Sequence, residues 1–110
     1  LDGTNLEYVI QLLKSENIKF IFLNCSPINY IDKAIDYINK CDPKMLIGVY
    51  PNKHKKTLNN FYLNKNFEKK EIYKEISIEE FVKYKDKWIL QNVKIIGGCC
   101  GICDCYINKL

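Results

Sequence analysis

Three short runs rich in β-branched and aromatic residues alternate with amphipathic segments, and this alternation most constrains the fold. Leu6 to Ser15 places Leu6, Val9, Ile10 and Leu13 on one helical stripe, with Thr4 or Asn5 available as a cap. A strand is expected from about Lys19 to Asn24. A second helix should run from about Asn29 to Cys41, with Ile31, Ala34, Ile35 and Ile38 as its apolar stripe and Asp42-Pro43 as its stop. Met45 to Tyr50 is a nearly continuous apolar run, as in a strand covered on both faces. Residues 53–76 are polar, rich in Lys and Asn, and read as a long loop. Ser77 to Asn92 reads as a third helix. Ser77 with Glu80 forms a capping box, and Ile78, Phe81, Val82, Trp88 and Ile89 supply the apolar surface. Val93 to Gly97 is the third strand. Strand and helix in alternation predict an α/β fold with parallel strands joined by right-handed crossovers.

Cysteines sit where two of these strands end. Gly97-Gly98-Cys99-Cys100-Gly101 follows the third strand. Consecutive side chains on an extended strand point to opposite faces, so the backbone must bend for both thiols to reach one point. The flanking glycines permit that bend and a close backbone approach. Cys25 occupies the matching position just past the first strand. In parallel α/β sheets and barrels, active sites collect at the C-terminal strand ends. Cys25, Cys99 and Cys100 can therefore meet at one metal, and soft thiolates favour zinc or a similar thiophilic ion. Three protein ligands with one open position is the pattern of a catalytic zinc, whereas four-ligand sites are structural. The competing readings are a buried cysteine pair, or half of a disulfide in a secreted domain.

Charge and size exclude several classes. The net charge of +4 comes with 17 lysines and no arginine. Arginine is the residue best suited to bidentate phosphate and guanine contacts. The lysine surplus between Lys53 and Lys87 therefore reads as a solvated face, not a nucleic-acid surface. No apolar run of about 20 residues is present to span a membrane. Six cysteines in 110 residues would suit a disulfide scaffold in a secreted protein. Their clustering at Cys99, Cys100, Cys103 and Cys105 suits metal binding or reduced thiols better, which points to a cytoplasmic setting.

Asn24-Cys25, Tyr50-Pro51-Asn52, Trp88 and Gly97 to Gly101 stand in an order and spacing that resemble the C-terminal part of homocysteine S-methyltransferases. Asp2-Gly3-Thr4 and the amphipathic segment after it fit the same stretch. The resemblance covers almost the whole chain. It implies a (β/α)8 barrel, of which residues 1–110 would be the C-terminal fragment, about the last three strand-helix units. A complete barrel needs at least about 200 residues, and the start at Leu1 instead of Met agrees with a fragment. The resemblance also implies Cys25, Cys99 and Cys100 as zinc ligands. The activity it implies is methyl transfer to the thiol of homocysteine, giving methionine. The donor would be a methylated sulfonium, betaine or a methylated folate-cobalamin system.

Around these residues, functional and structural roles compete. Asn24 could orient the Cys25 turn or merely satisfy local backbone. Tyr50, Pro51 and Asn52 could line the substrate pocket, or pack and shape the strand exit. Trp88 reads as a packing residue, His54 as exposed, and Cys41 as an inert thiol. The chain departs from the family in two places. Lys53-His54-Lys55 replaces the Ser-Gly-Glu that commonly follows Tyr-Pro-Asn. Ile102-Cys103-Asp104-Cys105-Tyr106-Ile107 replaces a Thr-x-Pro-x-His-Ile pattern. Cys103 or Cys105 could fill the open metal position. The chain would then be a non-catalytic thiolate metal-binding remnant, the main alternative to the methyltransferase. A small disulfide-rich binding module is a third reading.

Overall fold

A computed structural model of the chain describes residues 3–54 and 75–110. Most of the expected 53–76 loop, residues 55–74, lies outside the described residues. The described elements run α1 (Leu6–Ser15), β1 (Phe20–Pro27), α2 (Ile28–Cys41), β2 (Leu46–Asn52), α3 (Ile78–Ile89), β3 (Val93–Ile96) and α4 (Asp104–Ile107). The fold is α/β, with three strands in the order β1-β2-β3 and both pairings parallel.

The helices form where the apolar spacing placed them, with shifts at their ends. Asn5, not Thr4, caps α1: the Glu7 amide donates to its Oδ1 at 2.8 Å. Helix α2 starts at Ile28, directly after the strand, because Ile28 extends the buried stripe formed by Ile31, Ile35 and Ile38. Each such buried isoleucine contributes roughly 1.5–3 kcal/mol. Helix α3 ends at Ile89, short of the expected Asn92. Ile89 and Leu90 are exposed there, so burial no longer rewards the helical turn. Asn92 then turns the chain into β3 with a positive φ of 65°. Its side chain donates to the Met45 carbonyl at 2.8 Å, tying the start of β3 to that of β2.

Ser77 caps α3 as expected, with its hydroxyl accepting from the Glu80 amide at 3.2 Å. Ser77→Ala should lower stability by about 1 kcal/mol, read as a shifted denaturant midpoint at constant m-value.

The two sheet faces differ. Ile47, Val49 and Val93 join the isoleucines of α2 and Phe81 and Trp88 of α3 in one core. Trp88 is fully buried, the packing role expected of it, and its Nε1 donates to Asp32 Oδ1 of α2 at 3.0 Å. Lys87 grips the same carboxylate at 2.8 and 2.9 Å. The opposite face carries Phe20, Phe22, Tyr50 and Ile95. Phe22 packs on Phe20 and stacks on Tyr50, with centroids 4.6 and 5.6 Å apart. It remains 49% exposed and Ile95 42%. The described helices thus cover one face and leave an aromatic face open.

The ends of the 55–74 segment are fixed. His54 pairs with Glu75 in an antiparallel bridge, and the Ile76 amide donates to the Lys53 carbonyl at 3.1 Å. Ile76 is buried, and its carbonyl accepts from the Tyr106 hydroxyl at 2.7 Å. His54, expected to be exposed, is half-buried by this pairing. Among the described residues, no helix is long and apolar enough to cross a membrane.

Candidate metal centre

A bulge aims the first thiol. β1 does not stop at Asn24 as expected but continues to Pro27. Asn24 pairs with Tyr50 and Pro27 with Asn52, so β1 carries one more residue than β2 across that interval. The bulge holds Cys25 at φ 45°, a region few non-glycine residues occupy. Bulges of this kind re-aim side chains at sheet edges and active sites. Such strain costs on the order of 1–3 kcal/mol and persists only where its surroundings enforce it. Asn52 supplies that enforcement. Its Nδ2 donates to the Cys25 carbonyl at 3.0 Å, and its Oδ1 accepts from the His54 amide at 3.0 Å.

The other two thiols are held by the exit of β2. The Cys99 amide donates to the Pro51 carbonyl at 2.9 Å, and the Lys53 amide donates to the Cys100 carbonyl at 2.9 Å. The Ile102 amide closes a turn onto the Cys99 carbonyl at 3.0 Å. Gly98 packs so closely on Ile102 that a Cβ there would collide with its side chain. Gly101 takes φ +78°, and a Cβ there would stand 2.9 Å from Cβ of Lys53. The glycines therefore allow the chain to turn both thiols toward β1.

The result is a compact sulfur triangle. Cys25 Sγ lies 3.5 Å from Cys100 Sγ, and Cys99 Sγ lies 3.9 Å from Cys100 Sγ. All three sulfurs lie within 4.8 Å of one another. Tetrahedral metal–thiolate bonds of about 2.3 Å would set sulfurs roughly 3.8 Å apart. The triangle therefore fits one thiophilic cation without rearrangement. Cys25 and Cys100 are exposed and Cys99 half-buried, so an ion has access from solvent.

The three thiols do not ionise alike. The Cys99 thiol hydrogen-bonds to Cys25 and, with smaller help from Cys100 and Asn52, holds Cys25 below the ordinary thiol range. The same contact with Cys25, reinforced by burial, pushes Cys99 up to about 11. A first thiolate in the triangle thus opposes a second. A divalent cation reverses that opposition, because a coordinating thiol is deprotonated by the metal.

Other candidates fall outside the triangle. Asn24 is exposed; orienting the Cys25 turn, one of the two roles weighed for it, falls to Asn52. In the sequence Asn52 reads as pocket lining or as shaping the strand exit, and nothing local signals its tie to Cys25. Tyr50 covers Gly97 on the aromatic face and stacks with Phe22. Cys41 is half-buried against the core. Cys103 and Cys105 are joined to each other in a disulfide and are not members of the triangle.

The family model for homocysteine S-methyltransferase matches residues 1–110. Homocysteine S-methyltransferase 2 of Arabidopsis thaliana is 26% identical over 103 residues, covering 91% of this chain and 28% of the relative. Selenocysteine Se-methyltransferase of Brassica oleracea var. italica is 27% identical over 103 residues, covering 91% of this chain and 27% of the relative. The chain thus spans just over a quarter of the length of these relatives. No solved structure matches at a significant level. A match along the whole chain, meeting strand exits that gather three thiols, places this protein in the homocysteine S-methyltransferase family of methyltransferases.

Proposed function

We propose that this chain supplies the zinc site of a methyltransferase that converts homocysteine to methionine. The observation that carries the reading is the convergence of Cys25, Cys99 and Cys100 at the exits of β1 and β3. Zinc held by three thiolates would bind the substrate sulfur as a thiolate at neutral pH, ready to attack a methyl carbon. The chain's own residues prepare that step. Cys25, Cys99 and Cys100 hold the ion. Asn52 fixes the strained Cys25 turn, while the Pro51 carbonyl and Lys53 amide fix the cysteine pair. Cys103 and Cys105 fall in a donor group separate from the triangle, which leaves the triangle at three donors and favours an open site over the closed remnant. In the overall reaction, a bond forms from substrate sulfur to the methyl carbon as the donor's bond to that carbon breaks. The thiol proton is lost to solvent.

The same reading assigns the sheet to an arc of a (β/α)8 barrel in a cytoplasmic enzyme. Strands in sequential order with helices on one face support the barrel. A doubly wound sheet places helices on both faces. The open aromatic face would then look into the barrel interior.

Measuring zinc content and methionine formation in the full-length polypeptide tests the function. Activity that survives complete zinc removal would overturn it. Asn52 gives a finer test. Asn52→Ala should lower zinc affinity about 10–100-fold, as for other groups that orient ligands. Asn52→Asp still offers an oxygen to accept from the His54 amide, but it loses the donor to the Cys25 carbonyl. It should therefore fail equally in a competitive chelator titration.

A further inference from the structure

Cys103, Asp104 and Cys105 form a second donor cluster that the methyl-transfer reading leaves unused. Their ligand atoms lie within 4.8 Å of one another, and all three residues are exposed. The two cysteines are bonded across one intervening residue, with Cα atoms 5.3 Å apart. That separation is within the range disulfides adopt. The Asp104 carboxylate is turned back onto the Cys105 amide at 3.0 Å, which holds it beside the pair. The backbone between Cys100 and Cys103 reaches at most about 11 Å, so this cluster lies close to the sulfur triangle without joining it.

A bond across a single residue contributes little to stability, because the stabilisation grows with the length of loop closed. Exposure, in turn, makes the sulfurs accessible to exchange with other thiols and disulfides. These features suit a reactive pair better than a structural staple.

The geometry points to a redox-gated second metal site: reduced Cys103 and Cys105, with Asp104, bind a thiophilic divalent cation, and oxidation to the disulfide releases it. Oxidation needs a low-molecular-weight disulfide as the electron acceptor. One cysteine thiolate attacks that disulfide, forming a mixed disulfide and releasing one small thiolate. The second cysteine thiolate then attacks the protein-side sulfur, forming the Cys103–Cys105 bond and releasing the other. Two electrons pass to the small disulfide, which leaves as two thiolates; these take protons from solvent, and the cation departs with no thiolate left to hold it. A small dithiol reverses the sequence. The bonded sulfurs are no longer thiolates, so only Asp104 remains as a charged donor.

The test counts cadmium on the full-length polypeptide by elemental analysis and by its thiolate charge-transfer absorbance. Protein reduced with a phosphine should bind one equivalent more than protein equilibrated with oxidised glutathione. Peptide mapping should find the new disulfide between Cys103 and Cys105. Under reducing conditions the C103S/C105S double variant should bind one equivalent fewer than wild-type protein. In C25S the redox-dependent equivalent should persist. Equal stoichiometry in reduced and oxidised wild-type protein would overturn the proposal, as would an extra equivalent retained by C103S/C105S. Failure of the triangle reads differently: C103S/C105S would then bind no cadmium, while reduced wild-type protein still would.

Discussion

Cys100→Ala in the full-length polypeptide should abolish both zinc retention and methionine formation. Cys100 is the hub of the triangle, 3.5 Å from Cys25 and 3.9 Å from Cys99. Removing it leaves two sulfurs from separate strands and a metal with half its coordination open. The loss should exceed the roughly 100-fold upper end seen for changes that merely misorient a ligand. Cys99→Ala should behave alike. The proper control is Cys41→Ala, which removes a half-buried thiol of α2 and leaves the sulfur triangle intact. It should retain zinc and activity. Zinc content by elemental analysis and methionine by chromatography provide independent readouts. Full activity in Cys100→Ala would sink the mechanism.

Much of this arrangement was legible in the sequence, because it rests on local rules. Apolar residues three and four apart placed α1, α2 and α3, and Ser77 announced the start of α3 through capping chemistry. Continuous apolar runs located the strands, and their alternation with helices gave the parallel sheet. The three thiols could be grouped because each followed a strand, and parallel strands share an exit.

What escaped was long-range. Nothing in Asn24-Cys25-Ser26 says that β1 runs on to Pro27 through a bulge. That depends on pairing with Tyr50 and Asn52 on another strand. Asn24 could be weighed as a partner of Cys25 because it is adjacent in sequence. Asn52 wins because the register brings its amide to the Cys25 carbonyl, 27 residues away. The His54–Glu75 bridge was hidden for the same reason, since each side is a short polar stretch without strand pattern. Cys103 and Cys105 were weighed against the metal triangle because they are near it in sequence. The turn through Gly101 and Ile102 instead leaves them bonded to each other.

The 110 residues produced alone should bind zinc through the triangle yet form no detectable methionine. Zinc binding needs only β1, the exit of β2 and the turn after β3, all of which are present. Methyl transfer needs more. The substrate sulfur and the methyl carbon must be held in line, and such positioning supplies on the order of 7–11 kcal/mol of a barrier. In the described residues the sheet face bearing Phe22 and Ile95 is open, 49% and 42% exposed at those side chains. Among the described residues, nothing on that face closes around an amino acid or a donor. Water therefore reaches the site, where it weakens every electrostatic contact that would orient the reactants. The same open face should make the isolated chain self-associate and bind a hydrophobic dye, so light scattering accompanies the assay. Phe22→Lys should reduce both dye binding and association while leaving zinc stoichiometry unchanged, because Phe22 lies three residues before Cys25 and makes its ring contacts with Phe20 and Tyr50. Substantial turnover by the isolated 110 residues would mean that the open sheet face is not where the substrates are held, and the barrel-interior assignment would go with it.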